Sequence, residues 1–138
     1  MTIALGSLIQ AAMLNGLETR MAAGAGTATL TLYQTNLALC VFDLAAAPFI
    51  AAVGPSLTLS APLSSGGTEV AGTANRFVIV DQDAVTAVSG TVSAVGGGGD
   101  IETPSLTVTA AATQTLNSLV LRMASDGALT VEASLTLV

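Results

Sequence analysis

A period of two governs the chain from Thr27 onward. In the stretch TATLTLYQ, Ala28, Leu30 and Leu32 alternate with Thr27, Thr29, Thr31 and Tyr33, which predicts a half-buried strand. The C-terminal stretch repeats the pattern: TLNSLVLRMA and ALTVEASLTLV flank Ser125-Asp126-Gly127. Leu129, Val131, Ala133, Leu135 and Leu137 fall on one face, with Thr130, Glu132, Ser134, Thr136 and Val138 on the other. An Asp-Gly turn between two such runs is a strong hairpin signal. Between these ends lies Arg76 to Asp100, RFVIVDQDAVTAVSGTVSAVGGGGD, which reads as the central hairpin. Phe77 and Ile79 alternate with Val78 and Val80, Asp81 to Asp83 make the turn, and Val85 to Ala94 return. Gly96 to Gly99 then form a flexible exit loop.

The remaining segments fill in around that hairpin. LALCVFDL, from Leu37, is apolar on both faces and predicts a central strand or one covered on both sides. In AAAPFIAAVGPS, Pro48, Gly54 and Pro55 exclude a long helix and leave a loop or an extended edge segment. Leu57 and Leu59 mark a short strand, followed by a Ser/Gly/Thr-rich connection to Asn75 that is long enough to be a place of partner contact. DIE and SLTV are short strand candidates interrupted by Pro104. One helix precedes all of this, over residues 7–23. Leu5, Leu8, Ile9, Ala12, Met13, Leu17 and Met21 recur at spacings of three and four, with Ser7 as N-cap and Gly24 closing the end. Asn15, Glu18 and Arg20 belong to its wet side.

The expected fold is therefore mainly β: a single antiparallel β-sandwich or barrel-like domain of about eight or nine short strands preceded by one N-terminal amphipathic helix. One domain spans residues 1–138, with the helix inside 1–24 and the β domain over 27–138.

Composition narrows what such a fold can do. Half the residues are hydrophobic and only 9% are charged, with mean hydropathy +0.76, against about a quarter charged in ordinary domains. A transmembrane helix is not the reason, because the best apolar run, Leu37 to Val53, is cut by Asp43 and Pro48. One Tyr, three Phe and no Trp cannot supply the aromatic girdles of a membrane barrel. A surface buried against other subunits accounts for the composition better. Net charge is −6, with Arg20, Arg76 and Arg122 the only Lys or Arg. Nucleic acid and anionic membrane are therefore not expected partners. The first residues carry no basic region, so neither a signal peptide nor an anchor is expected.

Candidate chemistry is sparse. Cys40 is the single cysteine and the chain has no His, so it reads as a buried structural thiol rather than a nucleophile or metal ligand. Asp81 and Asp83 could suggest calcium, but the loop pattern for six to eight oxygens is missing, and a turn in which Asp bonds its own backbone is favoured. Gly96 to Gly99 could cradle phosphate, yet no Lys-Ser/Thr follows. Serine or threonine nucleophiles would lack a His or Lys base. No catalytic, cofactor or metal site is expected, and the chain reads as non-enzymatic.

Three segments together resemble small tailed-bacteriophage virion proteins: ALGSLIQAAMLNGLETRMAAGAG running into TATLTLY, the central RFVIVDQDAVTAVSGTVSAVGGGGDIE, and QTLNSLVLRM. The resemblance covers roughly residues 5 to 123, and the strand from Ala128 to Val138 departs from the family pattern. It implies a capsid decoration, cement or minor capsid protein, located in the virion and made in the host bacterial cytoplasm. The implied partners are the major capsid protein and further copies of the chain, as a trimer or dimer. The candidate interface residues are Leu8, Ile9, Met13, Leu17 and Met21. The alternative reading is a tail- or fibre-associated adhesion module that binds a host surface glycan.

Overall fold

A computed structural model describes residues 4–24, 26–44, 49–59 and 62–138. The helix α1 (Ser7–Met21) is followed by β1 (Thr29–Gln34), β2 (Leu37–Asp43), β3 (Phe49–Val53) and β4 (Ser56–Leu59). Two-residue strands β5 (Leu63–Ser64) and β6 (Gly72–Thr73) lie in the long connection. Then come β7 (Arg76–Val80), β8 (Thr86–Ala94), β9 (Ile101–Thr103), β10 (Thr107–Val108), β11 (Thr115–Met123) and β12 (Leu129–Thr136). The chain is mainly β with one N-terminal helix among the described residues.

One five-stranded sheet has the order β2-β1-β7-β8-β9, and another runs β12-β11-β4-β3 with β5 also pairing to β11. The expected central hairpin is β7–β8, and β7 is the middle strand of its sheet. In β1, Leu30 and Leu32 are fully buried as anticipated, but Thr31 between them is buried as well, so the strand is more deeply covered than its alternation predicts. Phe42, Phe77 and Ile79 from this sheet meet Leu57, Leu116, Leu119 and Leu121 from the other in one core. Each such side chain contributes about 1.5–3 kcal/mol on burial. At one side the sheets nearly join, because β9 packs beside β12 and Thr109 N donates to Val138 O at 2.8 Å. At the other side the outer strands are β2 and β3.

Several local expectations are corrected. β2 is an edge strand and not a central one. Its doubly apolar face comes from a bulge: Leu32 pairs with Cys40 and Tyr33 with Ala38, so Leu39 is an extra residue and both Leu39 and Cys40 turn inward. Phe49–Val53 does form the extended edge segment, whereas residues 45–48 lie outside the described residues. All described pairings are antiparallel except β8 with β9, which are parallel with Val92 opposite Ile101.

That parallel pair is joined by residues 95–100 alone, although parallel crossovers usually take a dozen residues or more. The short path is possible because the glycines let the chain fold flat back along β8. Gly97 N donates to Ala94 O at 2.9 Å and Gly99 N to Ser93 Oγ at 2.9 Å. A Cβ at Gly99 would stand 2.8 Å from Ser93 Oγ and 2.9 Å from its backbone nitrogen. Gly96 and Gly98 sit at φ 84° and 80°, where side chains are strained. The expected flexible loop is instead a tightly bonded one.

The helix boundaries also shift. Ser7 is the first helical residue, and Gly6 holds the N-cap position without a side-chain bond, its carbonyl accepting from Gln10 N at 3.1 Å. The helix ends at Met21 with Ala22 as C-cap in a right-handed conformation. Gly24, at φ 118°, falls beyond it, where a Cβ would meet Asp83 Oδ1 at 2.5 Å. Its freedom is used for passing the β7–β8 turn and not for ending the helix.

Candidate interaction surface

The helix packs on β3, β4 and β11, and its inward residues are Gln10, Leu14 and Met21. These recur at four, three and four residues if half-buried Leu17 is counted, which is one stripe of a helix. Gln10 is polar, yet its amide nitrogen donates to Met123 O at 3.1 Å, so its burial is compensated. Asn15 Oδ1 accepts from Ala52 N at 2.8 Å and ties the helix to β3.

The five candidate interface residues separate on this geometry. Leu8 is 85% exposed, Ile9 54% and Met13 46%. These three share the outward face with Ala12 and Gly16, which are also exposed. Leu17 is half-buried against the core, and Met21 is fully buried. Met21 is therefore a core residue and cannot serve as a surface contact. The amphipathic expectation gave the helix one apolar stripe, whereas it has two, and the larger exposed side chains face outward. Leu14 was missed because the run Leu8, Ile9, Ala12, Met13 dominates the pattern. The spacing Leu14, Leu17, Met21 carries the inner-face signal, and Gln10 interrupts it.

Arg20 fixes the helix to the other sheet. Its guanidinium lies 2.9 Å from Asp81 Oδ2 and 3.6 Å from Asp83 Oδ2. Asp81 is buried, and its Oδ1 accepts from Asp83 N at 2.9 Å and Val85 N at 3.0 Å. The paired aspartates thus form a backbone-bonded turn, as expected, with an arginine closing it. Arg20, placed on the wet side, has a structural partner after all.

The glycine loop presents backbone N–H groups to an anion, and the anion is internal. Gly96 N and Gly98 N donate to the two carboxylate oxygens of Glu102 at 3.1 and 3.0 Å. Asp100 Oδ2 accepts from Thr91 N at 2.8 Å and from its hydroxyl at 3.0 Å. The Thr91 backbone donor, followed by its hydroxyl, holds the Asp100 carboxyl below its ordinary range. A phosphate would have to displace Glu102, so the cradle reading has no room.

A cleft of about 250 Å3 lies over β2, lined by Leu39, Cys40, Val41, Gly66, Thr68, Glu69 and Val70 among others. Burial first, and then the charge of Glu69, push the Cys40 thiol up to about 12. It stays protonated at neutral pH and is no nucleophile. Glu69 is itself buried: one carboxylate oxygen accepts from Gly67 N at 3.0 Å and from the Ser65 hydroxyl, while Oε2 has no partner. The Ser65 hydroxyl is the main cause holding Glu69 below its ordinary value. Ser65 Oγ also accepts from Gln114 N at 2.8 Å, and Val70 N donates to Leu39 O at 2.8 Å. The long connection, expected to meet a partner, is bonded into the molecule across much of its length. Its outward residue Val70 joins Leu37 and Val41 as exposed apolar side chains at the β2 edge.

Among the described residues no group of three or more His, Cys, Asp or Glu is placed to hold a metal, and no helix is long and apolar enough to cross a membrane. What the arrangement offers is apolar contact area in two places, on α1 and at β2. Comparison with family models, curated proteins and solved structures finds no match to this chain. The fold and surface accordingly define a class only: a mainly β chain with apolar side chains displayed on an outward helix.

Proposed function

We propose that this chain is a non-enzymatic bacteriophage virion structural protein, a capsid decoration, cement or minor capsid protein that binds the head shell and stabilises it through contacts between copies. The observation that carries this reading is the outward face of α1. Leu8, Ile9 and Met13 are displayed on a helix whose opposite face is already packed. Folding leaves Leu8 almost wholly exposed and Ile9 and Met13 about half exposed, and assembly would gain about 25 cal/mol per Å2 of the apolar area it removes from water, before association costs. The exposed Leu37, Val41 and Val70 supply a second apolar area on a different sheet. In this reading one area meets the shell and the other meets further copies. The described carboxylates Glu69, Asp81, Asp100 and Glu102 are engaged with backbone donors, which favours a structural role for them.

Co-sedimentation with empty phage heads tests the reading. The wild-type chain should pellet with heads and raise the temperature at which they break. A Val41→Asp variant should pellet less while keeping its circular dichroism spectrum. A wild-type chain that stays in the supernatant at saturating concentration would remove the cement reading.

A further inference from the structure

The outward face of α1 places a large side chain and an open backbone position evenly about Ala12. Leu8 is 85% exposed, and at Gly16 an added Cβ would meet nothing within 4 Å. Both lie four residues from Ala12, on opposite sides of it along the same helical face. Rotating a second copy by half a turn about an axis through Ala12 sets each Leu8 over Gly16 of the other copy. Ile9 and Met13 then flank the crossing. The same patch serves both copies, which is the requirement of an isologous two-fold contact.

Charge favours the same occupant. The chain has net charge −6, yet Leu5 to Leu17 contains no ionisable side chain. Two acidic copies can meet through this strip without opposing carboxylates. An anionic membrane would find no Lys or Arg on it to hold a headgroup, since Arg20 is paired with Asp81 and Asp83. The strip is also small beside the roughly 20–30 residues a side of a stable interface. A reversible dimer, reinforced when both copies also hold a shell, matches that size.

We propose that α1 pairs antiparallel with α1 of a second copy across a two-fold axis at Ala12. This deepens the assembly reading above by naming its contact between copies, and it is testable with no shell present. Sedimentation equilibrium of the full chain should show monomer and dimer exchanging with concentration. Gly16→Leu should weaken association by roughly tenfold or more, because its side chain would occupy the space that Leu8 of the other copy takes, with an unchanged circular dichroism spectrum. Under mild oxidation Ala12→Cys should cross-link to itself. Leu8→Cys alone should not, because the axis sets the two copies of residue 8 about 12 Å apart along the helices; mixed with Gly16→Cys it should cross-link. A wild-type chain that is monomeric throughout, or Leu8→Cys cross-linking to itself as fast as Ala12→Cys, would overturn the pairing. So would flotation with anionic lipid vesicles that is lost in Leu8→Asp. A dimer that fails to bind heads would leave the pairing standing and remove the shell reading alone; a strict monomer that binds heads would do the reverse.

Discussion

The two faces of α1 are almost equally apolar and do opposite things. The inner face, Leu14, Leu17 and Met21 with Gln10, is part of the core, while the outer face, Leu8, Ile9 and Met13, is displayed. Hydrophobicity alone does not choose between them, since both follow helical spacing. The choice falls to the groups that fix the helix in rotation. Gln10 reaches Met123 O, Asn15 accepts from Ala52 N, and Arg20 grips the β7–β8 turn. Polar side chains therefore orient a helix whose apolar ones are ambiguous.

Truncation on each face should separate them. Leu14→Ala, at a fully buried position, should cost about 2–5 kcal/mol in urea unfolding. Gln10→Ala leaves Met123 O without its side-chain donor and should cost about 1–3 kcal/mol. Leu8→Ala should change monomer stability by no more than about 0.5 kcal/mol, and its effect should be read in association. Equal losses at Leu14 and Leu8 would mean that the two faces are not divided as described.

Two glycine-and-acid loops extend the contrast. Residues 64–69, SSGGTE, and 96–102, GGGGDIE, share a vocabulary. In the second, Glu102 is exposed and bonded by two glycine nitrogens; in the first, Glu69 is buried with one oxygen unpaired. Gly99→Ala should cost about 1–3 kcal/mol, because its Cβ would press on the Ser93 backbone. Glu69 and Asp100 are both held below their ordinary values of 4.5 and 3.8. Their stabilisation is complete above those values and is lost as pH falls through the lower folded-state ones. Acid unfolding curves of Glu69→Gln and Asp100→Asn should each be flatter than wild type below pH 4.5. A further effect, confined to alkaline pH, concerns Cys40. With its thiol raised from 9.0 to about 12, stability should decline as pH climbs through that interval, where only the unfolded chain ionises. A thiol reagent at neutral pH should react only on unfolding.

Much of the β architecture was legible because alternation and turn chemistry are local. Leu30 and Leu32, the Asp81–Asp83 turn, the Asp126-Gly127 hairpin and the β7–β8 pair all follow from neighbouring residues. Which helix residues reach the surface was only partly legible. Leu8, Ile9 and Met13 are surface residues, but Met21 belongs to the core, since a helical stripe does not say which side the sheet will occupy.

The sequence by itself determined a strand-rich chain with one helix in front, few charges for its length, and no His or Lys beside its many hydroxyls. Tertiary structure decided what depends on contacts far apart in the chain. It placed β2 at a sheet edge, turned both Leu39 and Cys40 inward through a bulge, and laid β9 parallel to β8 over a glycine loop that holds its own carboxylate. It also rotated α1 so that Leu14 is inside and Leu8 outside. Local spacing sets which residues share a face, and only packing against a distant partner sets where that face points.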